Sequence, residues 1–250
     1  MQSKDFVASL EHGLAVMEAF DATHPRMTLS EVAARTGLTR AAARRYLLTL
    51  AKLGYADYDG KHFRPALRVM RLGYSLLSTS PLPLMAQSIL DELARETGEV
   101  TSLAVLDERE VVFLARSQSQ RVLMPTIGVG TRLPVHSSAS GRAILSQKSD
   151  AEVQLLLGHL PIAAWTPKTE LDPRAILRHV QRARRLGYAI SEEELELGVT
   201  GLSIPVPSLR ERHRIALTVS TSVFRMGTEE MIERFLPPLR DGRDLLAPML

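Results

Sequence analysis

The chain has 250 residues, 45% of them apolar, 24% charged and 5% aromatic, with no Cys and a formal net charge of +3. Such a composition describes a folded globular chain, long enough for one large domain or two unequal ones, and argues against disorder, collagen-like and repeat architectures. The lack of Cys removes disulfides, thiolate metal sites and cysteine nucleophiles, and no apolar run approaches the roughly 18 residues of a membrane span, so a cytoplasmic protein without membrane contact is expected.

The positive charge is N-terminal: residues 1–74 hold 11 Lys and Arg against 7 Asp and Glu, whereas residues 75–250 hold 20 against 21. Phe6, Leu10, Leu14, Met17 and Ala19-Phe20 recur at three- and four-residue steps, which predicts an amphipathic helix ending before Pro25. Thr28-Leu29-Ser30-Glu31 has the form of a capping box and opens a short helix through Arg35, stopped by Gly37. Thr39 is placed to cap a longer helix, Arg40 to Leu53, which Gly54 ends. Tyr55 to Tyr58 and Lys61 to Arg64 are short extended runs joined by Asp59-Gly60, a tight-hairpin pair.

A connecting helix is expected over Leu67 to Leu77, broken by Ser78-Thr79-Ser80-Pro81-Leu82-Pro83, and a further helix over Leu84 to Thr97. The period then changes to two, predicting strands at Thr101 to Leu106, Val111 to Arg116 and Val122 to Ile127. Helices follow at Ser138 to Leu145 and Ala151 to Leu157, and Asp172-Pro173 opens one that reaches Leu186. Leu202 to Val206 and Ile215 to Val223 read as strands, and Thr228 to Leu246 as a last helix that Pro237-Pro238 should bend or interrupt. Helices flanking an antiparallel or mixed sheet give an α+β domain of about 170 residues.

The N-terminal order of short helix, turn, longer helix and hairpin is that of a winged helix-turn-helix. Thr39-Arg40-Ala41-Ala42-Ala43-Arg44-Arg45 combines small residues, which let a helix enter the major groove, with side chains that reach phosphates and base edges. Candidate DNA-contacting residues are therefore Thr39, Arg40, Ala41, Arg44 and Arg45, with Lys61, His62 and Arg64 on the wing. The competing reading of these positions is an oligomerisation module with a solvated basic face.

Several stretches together resemble the IclR family of bacterial transcription regulators: Thr28 to Gly54, the wing through Phe63, Gly130-Thr131-Arg132-Leu133-Pro134-Val135-His136-Ser137-Ser138-Ala139-Ser140-Gly141-Arg142, and Gly187-Tyr188-Ala189 through Glu193-Glu194 to Gly198. Gly37 to Tyr46 and Leu72-Gly73-Tyr74 are most similar to the branch controlling protocatechuate, 4-hydroxybenzoate and β-ketoadipate catabolism. The resemblance implies a winged helix-turn-helix domain over 1–65, a linker helix over 66–80 and a GAF-like effector-binding and oligomerisation domain over 81–250. It also implies a homodimer or a dimer of dimers on palindromic double-stranded DNA, with operator affinity modulated by a small carboxylate. Leu67, where related sequences commonly have Pro, and the hydroxyl-rich Ser137-Ser138-Ala139-Ser140 depart from the family pattern.

A turn-rich segment running into a helix at Ser138 or Ala139 points the backbone amides of Ala139, Ser140 and Gly141 into whatever lies ahead, and helix starts attract anions. Ser138, Ala139 and Ser140 are therefore candidate effector contacts. The family's pocket implies Ser191, Gly201, Thr218 and Ser220 as well, with Arg116 and His136 as charged neighbours; Thr218 and Ser220, two apart, share a strand face. Ser and Thr at such places also cap helices or satisfy backbone groups. No Gly-x-Ser-x-Gly surrounds Ser140, no phosphate-loop or His-Glu-x-x-His motif occurs, and Glu192, Glu193, Glu194 and Glu196 read as a solvated acidic edge. No catalytic residue, metal or cofactor is expected. A serine-dependent hydrolase and a DNA-binding architectural protein without an effector are the alternatives.

Overall fold

The computed structural model describes residues 5–21, 23–118, 128–160, 162–208 and 214–250, which divide into two units, Met1–Thr79 and Ser80–Leu250. The expected strand Val122 to Ile127 lies outside the described residues.

The first unit begins with α1 (Ala8–Glu18), followed by β1 (Met27–Thr28), α2 (Leu29–Thr36) and α3 (Arg40–Lys52). The hairpin β2 (Ala56–Tyr58) and β3 (His62–Pro65) comes next, and α4 (Met70–Thr79) closes the unit. The capping box forms: the Thr28 hydroxyl accepts from the Glu31 amide while the Glu31 carboxylate takes the Thr28 amide at 2.6 Å. Gly37 ends α2 at φ 69°, a left-handed conformation that turns the chain toward α3 and suits glycine. Val16, Met27, Val32, Leu47 and Phe63 form the core. The two-residue β1 pairs with β3 and is too short for any periodicity to reveal.

Helix α1 departs from expectation in a useful way. Of its predicted stripe, Ala19 is buried and Met17 and Phe20 are half-buried, with Phe20 packed on the core, yet Leu10 is 62% and Leu14 48% exposed. The predicted periodicity is real, but its Leu10 and Leu14 end lies on the surface.

In the second unit α5 (Pro81–Thr97) precedes β4 (Val100–Asp107), β5 (Glu110–Gln118) and β6 (Arg132–Pro134). Three helices follow, α6 (Ala139–Leu145), α7 (Asp150–Gly158) and α8 (Pro173–Leu186). Then come β7 (Ala189–Glu192), β8 (Val199–Val206), β9 (Ile215–Ser222) and α9 (Thr228–Leu246). The strands make one antiparallel sheet in the order β6-β5-β4-β9-β8-β7. On one face Leu103, Leu217 and Val219 pack with Leu90 and Leu93 of α5 and with Phe235 and Leu239 of α9. On the other, Ala104, Phe113 and Ala216 pack with Ile144 of α6 and with Ile176 and Val180 of α8.

The two proline-containing runs behave differently. The run Ser78 to Pro83 breaks the helical chain as expected, at Ser80, whose backbone is extended between α4 and α5; Pro81 and Pro83 then occupy the first turn of α5, whose amides have no intrahelical partner to lose. Pro237 and Pro238 sit inside α9, which continues to Leu246 with Met231, Phe235, Leu239 and Leu246 buried. Burial of that face, worth about 1.5–3 kcal/mol per side chain, offsets the roughly 3 kcal/mol that an interior proline costs. The short strands β6 and β7 were not anticipated either; three and four residues carry too little alternation.

Candidate DNA interface and effector cavity

At the start of α3 the Thr39 hydroxyl accepts the Ala42 amide at 3.2 Å, so the side chain that caps the helix also fixes where its exposed face begins. Ala43 and Leu47 are buried, and Thr39, Arg40, Ala41, Arg44 and Arg45 are exposed. None of the three arginines forms an ion pair among the described residues. The wing is different in charge. Asp59 accepts the amides of Lys61 and His62 and lies 3.5 Å from the His62 ring, while Arg64 is paired with Asp57 at 3.1 Å. Lys61 and Arg64 are exposed and His62 is half-buried, so the wing presents a locally neutralised edge and the helix start an uncompensated one.

In the second unit a cavity of about 290 Å³ opens between the sheet and the start of α6, at the small end of ligand pockets. It is lined by all the predicted cavity residues except His136: Arg116, Ser138, Ala139, Ser140, Ser191, Gly201, Thr218 and Ser220. Sheet register explains why they meet. Ser102 pairs directly with Arg116 on one side and Thr218 on the other, and Val100, Ser220, Gly201 and Ser191 form the adjacent row. Gly201 is needed for closeness, since a Cβ there would stand 3.2 Å from the Ala139 methyl and hold α6 off the sheet.

The hydroxyls divide into two groups. Ser138 caps α6, accepting the Gly141 amide at 3.0 Å and donating to the Pro134 carbonyl; Ser191 donates to the Ser137 carbonyl at 2.6 Å, and Thr218 lies 2.8 Å from the Ser203 hydroxyl. These line the cavity with their polar capacity already engaged. Ser102, Ser140 and Ser220 make no side-chain hydrogen bond among the described residues. The Gly141 amide, expected to face the cavity unpaired, is taken by its own cap.

His136 is corrected in both place and charge. It is absent from the lining, its side chain is buried, and burial, reinforced by the nearby Arg142 cation, pushes its pKa below the ordinary histidine value, so it is neutral at pH 7. Arg116 does line the cavity, and burial likewise disfavours its charged form. An anion brought beside it regains that lost solvation.

The apolar part of the lining was missed from sequence: Phe113, Leu133, Trp165, Leu195 and Val199, beside Glu196 and an Arg132 already held by Asp107 and Glu110, each at 2.6 Å. Phe113 and Arg116 are three residues apart, a spacing that strict alternation puts on opposite faces. Leu103 pairs with Ala115 and Ala104 with Phe113, leaving Leu114 as an extra residue, and this bulge returns both side chains to the cavity face.

A family model described as the IclR helix-turn-helix domain matches residues 9–60, and one described as bacterial transcriptional regulator IclR C-terminal matches residues 75–244. The chain belongs to the IclR family. It is 35% identical over 243 residues to the Pca regulon regulatory protein of Pseudomonas putida, covering 96% of this chain and 84% of that one. It is 37% identical over 247 residues to the p-hydroxybenzoate hydroxylase transcriptional activator of Acinetobacter baylyi, covering 96% and 91%. The crystal structure of an IclR homolog from Microbacterium hydrocarbonoxydans complexed with 4-hydroxybenzoate is 25% identical and superimposes with a TM-score of 0.76 over 96% of this chain and 98% of that one. As an IclR member the protein is a DNA-binding transcription regulator with an effector-binding C-terminal domain, and not an enzyme. Among the described residues no group of three or more His, Asp or Glu is placed to hold a metal, and no helix is long and apolar enough to cross a membrane.

Proposed function

We propose that the protein is a cytoplasmic regulator of aromatic-acid catabolism, whose N-terminal unit grips a palindromic operator and whose cavity takes a hydroxylated aromatic monocarboxylate. The division into a DNA-binding domain over 1–65, a linker helix over 66–80 and an effector domain over 81–250 is part of this reading. The observation that carries it is the cavity's mixed chemistry: Arg116, Ser102, Ser140 and Ser220 supply a cation and hydroxyls, and Phe113, Leu133 and Trp165 supply apolar surface. A planar ring fits the apolar wall, and a single carboxylate fits Arg116. A second carboxylate is disfavoured, because Arg132 already serves two acids and the lining also carries the acidic side chain of Glu196. The A. baylyi activator named for p-hydroxybenzoate hydroxylase and the complex with 4-hydroxybenzoate support the same class.

The test is a mobility shift on the DNA beside the protein's own gene with 4-hydroxybenzoate, protocatechuate or β-ketoadipate. One hydroxybenzoate is expected to move the binding midpoint by about 5- to 150-fold, the range of an allosteric coupling of roughly 1–3 kcal/mol, and β-ketoadipate to leave it in place. If no acid changes the shift or raises Tm, a DNA-binding protein that only dimerises is the better description.

The outward stripe of α1 supports a dimer. Leu10, Leu14 and Met17 border a groove of about 610 Å³ shared with Leu50 and Leu53 and with Leu72 of α4. Apolar surface of this kind is stabilised by contact with a second copy, and a two-fold dimer matches a palindrome. Leu10→Glu combined with Leu14→Glu is expected to weaken operator binding by about tenfold or more, roughly 1.4 kcal/mol at least, with hydroxybenzoate binding unchanged. Native mass in sedimentation together with native operator affinity sinks this placement of the dimer surface.

A further inference from the structure

The segment between β7 and β8 forms part of the cavity wall through Leu195, Glu196 and Val199, yet what holds it lies behind the cavity. Arg142 of α6 is the largest side chain withdrawn from solvent among the described residues, at 2% exposure, and its guanidinium grips both oxygens of Glu194, at 2.5 and 2.7 Å. The same guanidinium donates to the carbonyls of His136 and Ile190, at 2.9 and 3.3 Å. One side chain therefore fastens the strand that carries Ser191 to the helix that carries Ala139 and Ser140.

A second strip of chain is bound to this one. The Thr169 hydroxyl donates to the Glu194 carbonyl at 2.6 Å and accepts the amides of Trp165 and Thr166 at 3.0 and 2.9 Å. The Thr166 hydroxyl donates to the Glu193 carbonyl at 2.7 Å, Lys168 is ion-paired with Glu193, and the Glu170 amide donates to the Glu194 carboxylate at 3.1 Å. Glu193 also takes the Gly198 amide at 2.9 Å and sits at φ 55°, a left-handed conformation that a non-glycine residue keeps only when its surroundings hold it. The outcome is one cross-linked clamp. Trp165 and Leu195 face the cavity from its two strips, and Thr166, Lys168, Thr169, Glu193 and Glu194 tie the strips together away from the ligand space.

We propose that Glu194 and Arg142 are positioning residues for effector binding: their ion pair sets the clamp against α6 and so fixes Trp165 and Leu195 as the apolar wall. The buried pair offers little as a stability device, since such pairs recover their desolvation cost poorly and are replaceable by apolar residues without loss of fold. Its value here is geometric.

Trp165 is the sole tryptophan of the chain, so its fluorescence reads the clamp directly, with or without ligand. Two variants are compared with the parent protein: Arg142→Met with Glu194→Leu, which removes both charges together, and Thr169→Val, which removes only the hydroxyl joining the strips. In each, at unchanged far-UV circular dichroism, the acrylamide quenching constant of Trp165 is expected to rise by about twofold and the amplitude of fast anisotropy decay to grow. The ligand arm rests on the reading of the cavity as the effector site and uses 4-hydroxybenzoate and protocatechuate, each titrated by calorimetry; about tenfold weaker binding is expected in both variants, with ligand-free operator affinity unchanged. A parent protein that binds neither acid defeats that reading alone, and the fluorescence still decides the clamp. Folded variants whose Trp165 quenching and anisotropy match the parent overturn the proposal, as does parental acid affinity in both.

Discussion

Arg40→Ala combined with Arg44→Ala is expected to weaken operator binding by about two orders of magnitude while leaving fold and effector binding intact. Both side chains are exposed in the first turns of α3, and neither forms an ion pair among the described residues. A charge-assisted hydrogen bond contributes about 1.5–3 kcal/mol, and two at the lower end of that range, exposed and screened by salt, correspond to the stated loss. Each phosphate contact removed should also flatten the plot of log affinity against log salt by about 0.9. The wing sets the comparison: Arg64→Ala should cost much less, because Asp57 already compensates that guanidinium. Operator titrations at four or five salt concentrations check all three. If Arg64→Ala costs as much as the Arg40/Arg44 pair, the wing and not the recognition helix dominates the electrostatic grip.

What the sequence revealed and concealed follows from the range of the forces involved. Caps, turns and helical periods act over four or five residues, so Thr28, Gly37, Thr39 and Asp59-Gly60 were legible where they stand. The face that a period serves is not local. Leu10 and Leu14 repeat in step with Ala19 and Phe20, and only the packing tells that the latter two turn inward while Leu10 and Leu14 look outward. Cavity residues show the same limit. Thr218 and Ser220 were found because two-residue spacing fixes their shared face, whereas Ser102 joins them through pairing with a strand more than a hundred residues away in sequence. Phe113 was hidden by the bulge at Leu114, and Trp165 and Leu195 by belonging to irregular chain held in place through tertiary hydrogen bonds. His136 misled for a related reason: a histidine beside a serine-rich turn suggests a charged contact, and only its burial makes it a neutral core residue.

Arg116→Met tests the charge logic of the cavity most sharply. Methionine keeps much of the apolar stem and removes the guanidinium, so the shape of the wall formed with Phe113 and Ser102 is largely retained. In the parent protein burial disfavours the charged guanidinium, and a bound carboxylate offsets that penalty with a short charge-assisted contact. Removing the cation leaves the carboxylate to be desolvated without compensation, an effect of several kcal/mol. Binding of 4-hydroxybenzoate or protocatechuate should therefore weaken about a hundredfold or more, and the acid should no longer alter operator affinity. The neutral analogue 4-hydroxybenzamide supplies the control. It has the same ring and hydroxyl but no charge, so the variant should bind it at least as well as the parent does, reversing the preference between acid and amide. Calorimetric titration of both ligands into both proteins gives the four affinities needed for the cycle. Parallel losses for acid and amide would mean that Arg116 shapes the cavity without neutralising the ligand, and the carboxylate would then have to be held by the hydroxyls of Ser102, Ser140 and Ser220.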